Sequence, residues 1–208
     1  TAPPTHAELM RALEIPRSTL SDLLSELRDL GYVQIVDKRY LPGPRLLSFV
    51  YRATHQPTLR AGIRPTLEAL AAATQETASY VIEIGGDARE PGQVVAVEQA
   101  ESPQPIRFVA HLGQPFPITQ TAAGRVFLAF TNRTGPAVLN GELERIRERG
   151  YALNVDESRA TAVAAPVFDR QGSLVGAVSI SGPSDRLREP EERVWPLLRD
   201  ALQELRSR

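Results

Sequence analysis

The chain has 208 residues, a net charge of −1 and no cysteine, which allows one large domain or a small and a medium one and excludes disulfides, thiolate metal sites and a cysteine nucleophile. Hydrophobic residues make up 42% and charged residues 24%, the balance of an ordinary globular protein with enough apolar material for a core. No apolar run approaches a membrane span and no secretory pattern opens the chain, so a cytoplasmic protein without membrane contact is expected.

The first element is a short helix, roughly Ala7 to Ala12, behind an N-cap at Thr5. After the turn Leu13-Glu14-Ile15 comes a second helix, Pro16 to Leu30, with proline in its first turn and Gly31 as its stop. Leu20, Leu23, Leu24, Leu27 and Leu30 recur at helical spacing and predict a buried stripe. The remaining surface carries Arg17, Ser18, Thr19, Ser21, Ser25 and Arg28, short donors and cations that suit base edges and phosphates in a DNA groove. Two strands follow, Tyr32–Val36 and Tyr40–Leu41. They turn over Asp37-Lys38-Arg39, a wing whose Lys38 and Arg39 reach for phosphate. The pattern is that of a winged helix-turn-helix over residues 1–43, against the plainer alternative of a small helical hairpin. A further helix normally precedes the one at Ala7; TAPPT cannot form it, so residues ahead of Thr1 are expected to supply it.

Residues 1–60 hold eight Arg/Lys against six Asp/Glu, a net of +2, and the rest hold sixteen against nineteen, a net of −3. The basic end coincides with the helix-turn-helix. A charge of +2 holds DNA weakly, because phosphate neutralisation supplies most of the affinity. A homodimer or tetramer is therefore expected.

Residues 44–57 form a linker, helical over Pro44–Ala53 and broken at Gln56-Pro57, that would transmit orientation. The second domain, 58–208, begins with a helix from Thr58 to Thr74. Strands follow at Ala78–Ile84, Gln93–Gln99 and Ile106–His111, then a proline-rich loop from Gly113 to Pro117 and a helix from Thr121 to Phe130. Asn140–Arg149 is a short helix stopped by Gly150. Strands Thr161–Phe168 and Leu174–Ser181 close over Asp169-Arg170-Gln171-Gly172. A last helix from Pro190 puts Val194, Leu197, Leu198, Ala201, Leu202 and Leu205 on one stripe, kinked or restarted at Pro196. The fold class is α+β with an antiparallel sheet.

Two features bear on a ligand. On the last strand Val175, Ala177, Ser179 and Ser181 share one face, and Ala160, Ala162 and Ala164 alternate on its partner. Either a cavity floored by hydroxyls or a closely packed helix explains such small residues. In PITQTAAGRVFLAF, a threonine cap leaves the N–H groups of Ala122 and Ala123 free to bind a carboxylate or phosphate, though an ordinary capped helix has the same look. Catalysis finds no support. His6, His55 and His111 lack metal spacing, and no GxSxG, P-loop or dinucleotide fingerprint is present. No catalytic residue, cofactor or metal is expected.

In order along the chain, IPRSTLSDLLSELRDLGYV, RYLPGPRLLSF, RPTLEALAAATQETASYVIE, GQPFPITQTAAGRVFLAF, ERIRERGYALNVDES and VAAPVFDRQGSLVGAVSISGP resemble the IclR family of bacterial transcriptional regulators. The resemblance implies a winged helix-turn-helix, a helical linker and a GAF-like effector-binding domain. It implies dimers, often paired as tetramers, on palindromic operator DNA, and a small-molecule effector that is commonly a carboxylate or an aromatic. It carries the effector site onto Ala122 and Ala123, Asn154 and Asp156 in the loop after GYA, and Ser179 and Ser181; a position often held by cysteine falls near Ala162. Asp22 departs from a basic position in the recognition helix, and the chain is short around Asn132–Gly141 and Ser158–Ala160. The expected function is a ligand-responsive regulator without catalysis. The rivals are a GAF-like sensor whose N-terminal module binds protein and, more weakly, a hydrolase using Ser179 or Ser181.

Overall fold

The computed structural model describes residues 3–46, 57–85, 92–131, 139–155 and 160–207. The chain divides into two compact units, Thr1–Pro57 and Thr58–Arg208.

The N-terminal unit is built mainly by local devices. Helix α1, His6–Leu13, starts in a capping box in which Thr5 N donates to Glu8 Oε2 at 2.7 Å and Glu8 N donates back to Thr5 Oγ1. Helix α2, Arg17–Asp29, has Pro16 as its N-cap, one residue outside the expected first turn. It ends in a Schellman motif: Gly31, at φ +78°, donates to Arg28 O, and Tyr32 N donates to Leu27 O. Strands β1, Val33–Val36, and β2, Arg39–Pro42, pair in register across Asp37 and Lys38. Both turn residues have positive φ, as a two-residue type I′ hairpin requires. Arg39 is therefore a strand residue and not part of the tip. It bridges to Thr5, and its Nη1 donates to Pro3 O at 2.6 Å.

The leucine stripe of α2 is narrower than its spacing suggests. Only Leu20 and Leu24 are buried, and Leu27 is half-buried. At about 100° per residue, Leu24 and Leu27 fall within roughly 40° of Leu20, whereas Leu23 and Leu30 lie about 60–80° away. Those two are exposed.

The C-terminal unit is a six-stranded antiparallel sheet in the order β5-β4-β3-β8-β7-β6, the α+β class expected. Its strands are β3, Thr77–Ile84, β4, Gln93–Ala100, β5, Pro115–Pro117, β6, Ala152–Val155, β7, Ala160–Phe168, and β8, Leu174–Pro183. On one face Tyr80, Val163, Val178 and Ile180 pack with Leu67 and Leu70 of α3, Pro57–Thr74, and with Leu198 of α7, Trp195–Ser207. On the other, Val81, Ala164 and Ala177 pack with Val126 and Phe127 of α4, Ala122–Phe130, and Ile146 of α5, Asn140–Arg149. The alternation of β7 and β8 thus divides two cores.

Differences from expectation have local causes. The C-terminal helix breaks into α6, Pro190–Arg193, and α7, with Pro196 in the first turn of the restart, where its missing N–H costs nothing. Leu197 leaves the stripe and is exposed. Segment Ile106–His111 is not a strand. Its backbone is held by side chains instead: Thr77 Oγ1 donates to Phe108 O, Gln99 Oε1 accepts from Ala110 N, and Arg186 Nη2 donates to Ile106 O. The edge position is taken by Pro115–Pro117, where proline is tolerated because one side of the strand is unpaired. The edge strand β6 has no counterpart in the expected elements, being too short to show alternation. Residues 44–46 are helical, and the rest of the expected linker helix, through Ala53, lies outside the described residues. Among the described residues no helix is long and apolar enough to cross a membrane.

Candidate functional site

Cross-strand register sets the floor of the site. Thr77 of β3 lies opposite Ser181 of β8, which lies opposite Ala162 of β7, which lies opposite Asn154 of β6. One pleat further, Ser79 lies opposite Ser179, and Ser179 opposite Ala164. Four hydroxyl side chains therefore form a two-by-two grid on the α4 face of the sheet, with the Cβ atoms of cross-strand partners about 4.5–5.5 Å apart. Thr77, Ser79 and Ser179 are buried.

The N-terminus of α4 faces this floor. Thr121 caps the helix by accepting from Gly124 N at 2.9 Å. The N–H groups of Ala122 and Ala123 are in the first turn, where a helix supplies no acceptor. Gly124 is required here, because a Cβ would overlap the carbonyl of Ile118 in the 3-10 turn Ile118–Gln120 packed against it. Asn154 Nδ2 donates to Gln120 O at 3.3 Å and so joins β6 to the same turn.

Between floor and helix lies a cavity of about 230 Å³. Ala122, Ala123, Asn154, Ala162, Ser179 and Ser181 all line it. Asp156 lies outside the described residues. Val175 and Ala177, expected on the same face, do not line it: Ala177 is packed under α4, and Val175 is exposed at the far end of β8. Sequence reasoning missed Thr77 and Ser79, although TASYV has the same small-and-hydroxyl alternation as SISGP. It also missed the outer wall, where Phe108, Val109 and Phe116 contribute. Nothing in the local pattern of residues 106–111 told a wall from a strand.

In the N-terminal unit, Arg17, Ser18, Ser21, Ser25 and Arg28 fall within a sector of about 100° on α2, at about 100° per residue. Thr19 lies on the other side, roughly 150° from the centre of that sector by the same rotation. Ser21 Oγ is 3.0 Å from His6 Nε2, and Arg28 is paired with Asp29 at 2.9 Å and with Ser25 Oγ at 3.2 Å. Arg17 and Lys38, the only lysine, make no such contact among the described residues.

Among the described residues no group of three His, Asp or Glu is arranged to hold a metal. The family model for the bacterial transcriptional regulator IclR C-terminal domain matches residues 51–135 and 133–207. The glycerol operon regulatory protein of Streptomyces coelicolor is 30% identical over 212 residues, 90% of this chain and 80% of that protein. The HTH-type transcriptional regulator KdgR of Escherichia coli is 27% identical over 90% of this chain and 77% of its own length. A solved structure assigned to the IclR regulators, from Silicibacter sp. TM1040, superposes with a TM-score of 0.82 at 22% identity, covering 98% of this chain and 87% of that one. An IclR regulator from Alicyclobacillus acidocaldarius superposes with a TM-score of 0.74 at 24% identity, covering 98% and 89%. These relatives are transcriptional regulators and not enzymes, which removes the hydrolase reading of Ser179 and Ser181. By the family match and the relatives alike, the chain belongs to the IclR family of bacterial transcriptional regulators.

Proposed function

We propose that this chain is a cytoplasmic, ligand-responsive regulator that binds operator DNA through residues 1–43 and a small-molecule effector through residues 58–208. The observation that carries the reading is the cavity: three serines, three threonines and two helix-start N–H groups converge on one volume in the part of the chain that the family model matches. Convergent polar groups in an otherwise apolar pocket are the mark of a ligand site. On the DNA side, α2 presents Arg17, Ser18, Ser21, Ser25 and Arg28 to the major groove, and the hairpin presents Lys38 to phosphate. Thr19 and Arg39 support the unit from outside that face.

The protein works as a dimer or tetramer, with heads separated by about one helical turn of DNA, ~34 Å, or a multiple of it. Effector favours one arrangement of the sensor domains, and residues 44–57 pass the change to the spacing of the heads. The test is a titration of the intact protein against the DNA upstream of its own gene, with a shuffled fragment of equal length as control. Tight binding to the first and weak binding to the second is expected. Equal, weak binding to both contradicts the reading and favours a protein-binding N-terminal module.

A further inference from the structure

We propose that the C-terminal unit carries a second small-molecule site, a groove between α7 and the end of β7 that takes an oxyanion with a compact apolar body. It is separate from the cavity beside α4 and does not rest on the reading of that cavity.

The groove exists because the sheet outruns its edge strand. The last pair between β6 and β7 is Ala152 with Ala164, whereas β7 continues to Phe168. Among the described residues, the outer edge of β7 beyond Ala164 therefore has no strand beside it. Space of about 160 Å³ remains between this end of β7 and α7, close to the roughly 150 Å³ of a dry cavity that takes up benzene. One ring or a short alkyl chain fits. Pro166 removes an N–H group from this edge, which disfavours an added strand as the occupant.

The apolar wall is fixed in place. Trp195 lies against Tyr151, with ring centroids 4.8 Å apart, and beside Gly150, where a Cβ would come within 3.3 Å of the indole. Phe168 and Pro166 face it from β7.

Charge then selects the head group. At about 100° per residue, Trp195, Arg199, Gln203 and Arg206 fall within a sector of about 80° on α7, and all four line the groove. Every other lining residue is apolar, so among the described residues two cations and an amide face this space with no carboxylate to neutralise them. The acidic residues of the same helix, Asp200 and Glu204, are rotated about 100° and 140° from Arg199. Gln203 and Arg206 make no hydrogen bond or ion pair among the described residues. Arg199 is paired with Asp200 at 3.0 Å, with at least half of each side chain exposed. An exposed pair of that kind holds little, so Arg199 is available to a ligand. Arg199 and Arg206 stand about 10 Å apart along the axis, and two guanidinium groups reaching inward from that spacing meet over Gln203. Their planar forks match a carboxylate or a phosphate.

The test uses Trp195, the only tryptophan in the chain, as a reporter inside the groove. The cavity beside α4 has no tryptophan among its lining residues. Tryptophan emission of the intact protein is titrated with cyclohexanecarboxylate, cyclohexyl phosphate, cyclohexanol and inorganic phosphate, none of which absorbs where tryptophan does. The tighter of the two ring oxyanions is expected to half-saturate the change at a concentration about ten- to a hundredfold below that of cyclohexanol, the scale of one charge-assisted hydrogen bond. It should also fall below inorganic phosphate, which lacks the apolar body. Whether carboxylate or phosphate is tighter names the head group. The double variant Arg199→Gln, Arg206→Gln should bring the ring oxyanion level with cyclohexanol and leave cyclohexanol unchanged. Ala162→Phe, which fills the other cavity, should leave the whole series as it is. No emission change at millimolar concentration overturns the proposal, as does cyclohexanol or inorganic phosphate binding as tightly as the ring oxyanions. An oxyanion preference that survives the double variant also overturns it, and so does a response lost in Ala162→Phe, which would place the ligand in the other cavity. A thermal unfolding curve for each variant confirms that it is folded.

Discussion

The two units are stabilised by different means. Among its described residues the N-terminal unit buries only two aliphatic side chains, Leu20 and Leu24, and it depends on a capping box, a Schellman motif and a type I′ turn. The C-terminal unit packs helices on both faces of a six-stranded sheet, with Leu67, Val126, Ile146, Val163 and Ile180 fully buried. In the first, backbone hydrogen bonds at a few fixed positions carry the fold, and Arg17, Ser18, Ser21 and Arg28 of α2 stay exposed. In the second, burial carries the fold, and the one face that is underfilled becomes the cavity.

Removing core volume should produce the largest effect. Leu67→Ala takes a fully buried side chain from between α3 and the sheet, at an expected cost of about 2–5 kcal/mol. Calorimetric unfolding should show the C-terminal transition falling while the N-terminal one holds. A shift of both together would mean that the units do not differ as described.

DNA contact comes next. Arg17→Ala should weaken operator binding by about 1–3 kcal/mol if the side chain reads a guanine. Lys38→Ala should weaken every sequence alike and lower the salt slope by about one. A titration series in salt on operator and shuffled DNA distinguishes the two.

Backbone devices follow. Gly31→Ala forces a Cβ into the left-handed region at φ +78°, at about 1–2 kcal/mol. Loss of helical signal confined to the N-terminal transition is the expected readout, and an unchanged transition would put the weight of that unit elsewhere.

The smallest effect is one of pH. Hydrogen bonds from the backbone and then the side chain of Thr5, with help from Arg39 and Arg11, hold the Glu8 carboxyl below its usual range. A carboxylate lowered in the folded state stabilises above its unfolded pKa and loses that contribution as pH falls through its folded value. The N-terminal transition should therefore drop on acidification, and Glu8→Gln should flatten that dependence. A slope unchanged by Glu8→Gln would dissociate the capping box from the pH response.

The same contrast governs what could be read in the sequence. Caps, stops and turns are written in single residues, so Thr5, Gly31 and Gly150 are legible, as are the long elements around them, and the hairpin is legible except that Arg39 reads as part of its turn. The alternation of β7 and β8 gave Ala162, Ser179 and Ser181. Thr77 and Ser79 belong to the same face, but only the register of β3 against β8 brings them beside those serines. The wall at Phe108 and Val109 is held by long-range side-chain bonds from Thr77 and Gln99, which local periodicity cannot encode. It therefore resembled a third strand.

The most direct test of this division of labour is one assay on two variants, operator affinity without effector for Arg17→Ala and for the double variant Ser179→Ala, Ser181→Ala. The account predicts a loss of roughly five- to hundredfold for the first, the equivalent of one good base contact, and affinity within about twofold of the unmodified protein for the second, the scatter of a remote, independent site. Operator binding lost in the serine variant and kept in Arg17→Ala would contradict it.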